Sequence, residues 1–136
     1  MKKLLVALVF LSQAVFAQSV QGELELAGFI LGQYRKSVHA ELGAPFDSHK
    51  TREGWVYDFH ALRPDTSVYV LFKYPKWDTT RIHSIQLNGD SYQTMKPFRG
   101  LKLGDSKDKV HSTFGEPTRT EVIEDMDVIV EYYDGH

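Results

Sequence analysis

Gly32-Gln-Tyr-Arg-Lys-Ser-Val-His-Ala-Glu-Leu-Gly-Ala-Pro45 and Gly104-Asp-Ser-Lys-Asp-Lys-Val-His-Ser-Thr-Phe-Gly-Glu-Pro117 carry one pattern, G-x5-V-H-x2-[L/F]-G-x-P, 72 positions apart and without a gap. Val38 with Leu42, and Val110 with Phe114, stand at i,i+4, which puts each pair on one face of a helix. Gly43 and Gly115 follow at once, as a left-handed C′ glycine does, and Pro45 and Pro117 keep the helix from resuming. In the second copy Asp105 or Ser106 offers an N-cap and Asp108 puts a negative charge in the first turn, whereas Gln33 in the first copy is a poor cap. A helix of roughly eight or nine residues is marginal alone in water, so each must dock on something.

Strand patterning follows each proline. After a polar arm, Phe46 to Glu53, and a turn at Gly54, the runs Trp55–His60, Ser67–Tyr74 and Arg81–Asn88 alternate as half-buried strands do. Connections of six residues make them an antiparallel meander. Trp55, Tyr57 and Phe59 form one face of the first run and are expected under the helices. Val56, Asp58 and His60 form the other, beside Tyr69, Leu71, Lys73, Ile82, Ser84 and Gln86, a face that is either an open binding surface or covered by the second repeat. In the second copy Thr120–Ile123, an acidic turn and Val128–Tyr133 repeat the opening hairpin. A shift of 73 lays Val128, Val130 and Tyr132 over Trp55, Tyr57 and Phe59, with Glu131 over Asp58 and Tyr133 over His60. One extra residue in the hairpin explains the change of offset.

The fold class is therefore α+β, with tandem repeats of a short helix packed on an antiparallel β-meander, the second repeat incomplete. Residues 1–17 read as a signal peptide, 18–29 as a lead-in, 30–89 as the first repeat, 90–101 as a linker and 102–136 as the second repeat. The second repeat lacks the last two strands, so either the sequence is the front part of a longer product or its hairpin joins the first sheet. An incomplete meander would expose the apolar edge of Ile129, Val130 and Tyr132, which favours the longer product.

Lys2 and Lys3 precede an apolar run, Leu4 to Leu11, and Val15-Phe16-Ala17 supplies small residues at −3 and −1 of a cut after Ala17. The run is about half the length a bilayer-spanning helix needs. The chain has no cysteine, which excludes a lipid anchor at the cut and any disulfide. The expected address is periplasmic or secreted, with neither lipid anchor nor membrane span after cleavage. Beyond the cut, 14 basic residues face 18 acidic ones, so no electrostatic footprint for nucleic acid exists. Seven of the acids lie between Glu116 and Asp134, where Arg119 is the one base. The ordinary reading is a solvated hairpin edge.

Leu31-Gly32, Val38, Leu42-Gly43-x-Pro45 and the Trp55-x-Tyr57 strand, with Leu103-Gly104, Val110 and Phe114-Gly115-x-Pro117, resemble the beta-lactamase inhibitory protein architecture. Its single-repeat relatives are the SmpA/OmlA-type lipoproteins of outer-membrane assembly. The likeness covers residues 30–89 and part of 102–133. It implies a binding module whose sheet face or loops hold another protein. The assembly lipoproteins carry a lipid-attachment cysteine, which this chain lacks.

The expected function is thus non-catalytic binding of another envelope or secreted protein. An open sheet face with an apolar centre and polar rim suits an interface, and a loop tryptophan suits an anchor. The contacts expected are Asp58, Tyr69, Leu71, Lys73 and Trp77, with Glu131 and Tyr133 in the second repeat. The alternative is a small-ligand carrier or hydrolase using Asp58 and His60 as acid and base. No nucleophile elbow or zinc-protease motif accompanies that pair. His39 and His111 occupy equivalent positions, but neither has a second ligand at i+4, and a structural role is expected for both. Glu124, Asp125 and Asp127 lack the glycine and further oxygen ligands of a calcium loop. No cofactor and no metal is expected.

Overall fold

The computed structural model describes residues 3–4, 25–90 and 97–133. Among the described residues nine short strands and two α-helices run in the order β1 (Lys3–Leu4), β2 (Glu25–Leu26), β3 (Phe29–Ile30), α1 (Arg35–Leu42), β4 (Asp47–Lys50), β5 (Val56–Ala61), β6 (Tyr69–Tyr74), β7 (Ser84–Asn88), α2 (Lys107–Phe114), β8 (Arg119–Ile123) and β9 (Val128–Tyr132). The fold is α+β. Among the described residues no helix is long and apolar enough to cross a membrane. Most of the segment expected to be a signal peptide, residues 18–24 of the expected lead-in and residues 91–96 of the expected linker lie outside the described residues.

Both helices have eight residues and end where their glycines dictate. Gly43 and Gly115 sit at φ 77° and 80°, and their N–H groups bond the carbonyls of His39 and His111. The Ser106 hydroxyl accepts from the Lys109 N–H, and Asp108 lies in the first turn, whereas Tyr34 caps α1 without a side-chain bond. What α1 lacks in capping it gains from the backbone: Gly32 N donates to Ile82 O, Ile82 N to Gln33 O, and Arg35 N to Thr80 O. These bonds tie the start of the helix to the approach of β7.

The main sheet has the order β4-β5-β6-β7, all antiparallel. The meander therefore has four strands, one more than the sequence announces. Asp47–Lys50, expected as a polar arm, is an exposed edge strand with Ser48 opposite Asp58 and His49 opposite Tyr57. The second hairpin pairs in an equivalent register, with Thr120 opposite Glu131. Thr51 to Trp55 encloses three residues in the first turn, and Ile123 to Val128 encloses four in the second. Those four include a 3-10 turn, Glu124–Met126, and left-handed Asp127. The hairpin does not join the first sheet; β9 pairs on its other side with β1, in parallel, over Lys3–Val128 and Leu4–Ile129.

The face assignment is reversed from expectation. Asp58 lies opposite Phe72 and His60 opposite Val70, so both share the surface of Phe72, Val70 and Tyr74, which are fully buried. That is the surface α1 covers. Trp55, Tyr57 and Phe59 face the other way, with Tyr69, Leu71 and Lys73. One apolar cluster joins Leu26, Phe29, Val38, Phe72, Tyr74 and Ile85 to Phe98, Leu101, Val110 and Phe114. The two helix-plus-hairpin units thus share a core.

Candidate functional site

Asp58 is fully buried, and a carboxylate in that position is tolerable only when every lone pair has a partner. Arg35, in the first turn of α1, forks it: Nε donates to Oδ2 at 2.7 Å and an Nη to Oδ1 at 3.0 Å. One turn on, His39 Nε2 lies 3.0 Å from Oδ2. Ser48 Oγ donates to Oδ1 at 2.6 Å from the edge strand. Arg35 and His39 reach one group because i,i+4 residues share a helix face. Burial alone would raise the Asp58 pKa, but the hydrogen bonds from Arg35, Ser48 and His39 outweigh it and hold the carboxyl below its ordinary range.

His60 completes the cluster. Its ring lies 5.4 Å from that of His39 and edge-on to Phe72. It is 2% exposed, and neither ring nitrogen meets a hydrogen-bond partner. Burial lowers its pKa, so the imidazole is neutral at physiological pH. Nearby on the same face the fully buried Tyr74 hydroxyl also lacks a partner, and burial raises its pKa well above the ordinary value. Arg35, His39, Tyr34, Lys36, Thr79 and Thr80 line an open cleft of about 510 Å³, so two members of the cluster stand in its wall.

The second unit holds a version of the same arrangement. Glu131 accepts from Lys107 Nζ at 3.2 Å, lies 2.9 Å from His111 Nε2 and accepts from the Tyr133 hydroxyl at 2.8 Å. Lys107, His111, Glu131 and Tyr133 correspond to Arg35, His39, Asp58 and His60 at offsets of 72 and 73. Burial again works against the charge, and the bonds from Tyr133, His111 and Lys107 again win, so the Glu131 carboxyl is held low. Each buried carboxylate staples a helix to its hairpin. At the last position Tyr133 bonds the carboxylate, whereas neither ring nitrogen of His60 has a partner.

The seven residues expected at a partner surface divide in two. Asp58 and Glu131 are buried carboxylates under helices, and Tyr133 belongs with Glu131 against Phe114. Tyr69, Leu71 and Lys73 lie together on the sheet face opposite α1, where Leu71 is only 7% exposed. Trp77 is 62% exposed and packs edge-on against Trp55. The sequence reading overlooked Phe46, His49, Tyr57 and Phe59 on this surface. Phe46 contacts Phe59 and Tyr69, His49 contacts Tyr57 and Phe59, and Lys73 Nζ lies 5.0 Å over the Tyr57 ring. Phe46 is half exposed. The available signal was the alternation of Tyr57 and Phe59, which had been assigned to the interior. Arg35 was also missed; its only sequence signal is a cation one turn before a histidine, repeated at Lys107 and His111.

In comparisons with known proteins, no family model, no curated protein and no solved structure matches the chain.

Proposed function

We propose that this chain is an exported, non-catalytic protein-binding module that holds another envelope or secreted protein against the sheet face opposite α1. The observation that carries the reading is the continuous aromatic surface of Phe46, His49, Tyr57, Phe59 and Tyr69, with half-exposed Phe46 at one end and Trp77 beyond the other. Rigid rings on a sheet offer large contact area at small entropic cost, the usual makeup of an interface centre. Lys73 stands over the Tyr57 ring on this surface and Lys76 lies beside Gly54 at its hairpin end, while the chain as a whole is net negative. The partner is accordingly expected to offer an apolar protrusion flanked by carboxylates. The resemblance to inhibitory and assembly modules supports the same reading.

The test is a cross-linked pull-down from envelope extract, with the chain expressed behind its own leader. Phe46→Ser and Trp77→Ser alter exposed rings, so neither should disturb the fold. A single saturable partner captured by the wild type and lost with both substitutions is the expected result. A folded wild type that captures nothing, or a partner that both variants retain, would remove this surface from consideration.

A further inference from the structure

We propose that His39, Asp58 and His60 bind a divalent transition metal ion, with Zn2+ as the ion the donors fit best. Two imidazoles and one carboxylate form a three-ligand set that leaves a fourth position open, and such donors suit zinc and its neighbours rather than magnesium or calcium. One ligand atom from each residue can be chosen so that all lie within 4.8 Å of one another. Ligands of a tetrahedral zinc, at about 2.1 Å from the ion, stand roughly 3.4 Å apart.

His60 supplies the independent observation. An imidazole 2% exposed, with neither nitrogen satisfied, is less stable than an apolar residue of the same shape. In the second unit the same position is a tyrosine that completes its own carboxylate's bonding. His60 has instead a lone pair beside Asp58 and His39 with nothing to receive it, and the lowered pKa keeps it neutral and competent to ligate. His39, about one-third exposed, stands in the wall of the open cleft.

Arg35 sets the character of the site. It already holds both carboxylate oxygens, so it becomes the outer partner that orients the ligand, and its charge weakens attraction for a cation. The second unit, with Lys107, His111, Glu131 and Tyr133, offers one imidazole fewer and no orphaned nitrogen, and it is expected not to bind. This site lies on the opposite side of the sheet from the aromatic surface, so it stands or falls independently of the protein-binding reading.

The experiment is titration of the chelator-stripped full chain with Zn2+, read by competition with a chromophoric chelator and by the 15N resonances of the histidine rings. One equivalent of Zn2+ should bind, shifting the His39 and His60 nitrogens. His39→Ala should weaken binding at least tenfold, and so should His60→Tyr, which copies the second unit. His111→Ala should leave it unchanged, and Ca2+ should not compete. If His60→Tyr fails to fold, the more exposed His39→Ala still decides. Absence of zinc binding by the wild type overturns the site. So does binding that survives His39→Ala, or that moves only the ring nitrogens of other histidines.

Discussion

His83 lies edge-on to Trp55 and Trp77, with ring centroids 5.3 and 5.8 Å away, and these are the two tryptophans of the chain. Burial lowers its pKa from the ordinary 6.5, so the neutral form belongs to the folded state. The sign follows: its contribution to stability is full above about pH 6.5 and is lost as pH falls through the lower, folded value. Because an imidazolium quenches nearby indoles, tryptophan fluorescence should drop with a midpoint below 6.5 as pH is lowered. His83→Gln should abolish the step. A midpoint above 6.5, or a step retained in the variant, would show that His83 is not desolvated as described.

At the scale of elements, the docking of α1 on the sheet rests on Asp58 as much as on Val38. An eight-residue helix without a side-chain cap holds its place through the Arg35 fork, the His39 contact and the bridge to Thr80 and Ile82. Asp58→Asn leaves Arg35 without its counter-charge in a nearly closed site. Because Arg35 is one-third exposed and can turn to water, the expected cost is about 2–3 kcal/mol, below the full penalty of a buried broken pair. Glu131→Gln should cost less, about 1–2 kcal/mol, since Lys107 is half exposed. Urea denaturation of the two variants gives the comparison directly, and equal losses would mean that the two staples are equally desolvated.

Across the whole molecule, the shared core makes the two helix-plus-hairpin units one cooperative structure. Val110 of α2 is 2% exposed and belongs to the same cluster as Val38 and Phe72. Val110→Ala should cost about 2 kcal/mol, partly in transfer and partly in the cavity it leaves. Both tryptophans lie in the first unit, yet their fluorescence should lose stability by that same amount and coincide with far-UV circular dichroism. Separate transitions for the two probes would mean that the units melt independently. One core also explains why the aromatic surface and the buried carboxylate cluster occupy opposite sides of a single sheet: α1 has to claim one side, and the rings are left on the other.

The local features were legible in the chain. The i,i+4 pairs, Ser106, the two glycines and the two prolines act within a turn or two of themselves, and they determined where both helices end and where α2 begins. The equivalence of Glu131 to Asp58, and the extra hairpin residue, also came from spacing alone. Which side of β5 faces inward did not. Alternation gives two faces but not their order, and Trp55, Tyr57 and Phe59 are the more apolar set, so hydrophobicity chose the wrong one. The tertiary structure decided it because Arg35, His39 and Ser48 satisfy a carboxylate that no neighbour on its own strand could serve. The same long-range pairing made a strand of Asp47–Lys50, which has no apolar residue to announce it, and brought His39 of α1 beside the Asp58 and His60 that share β5.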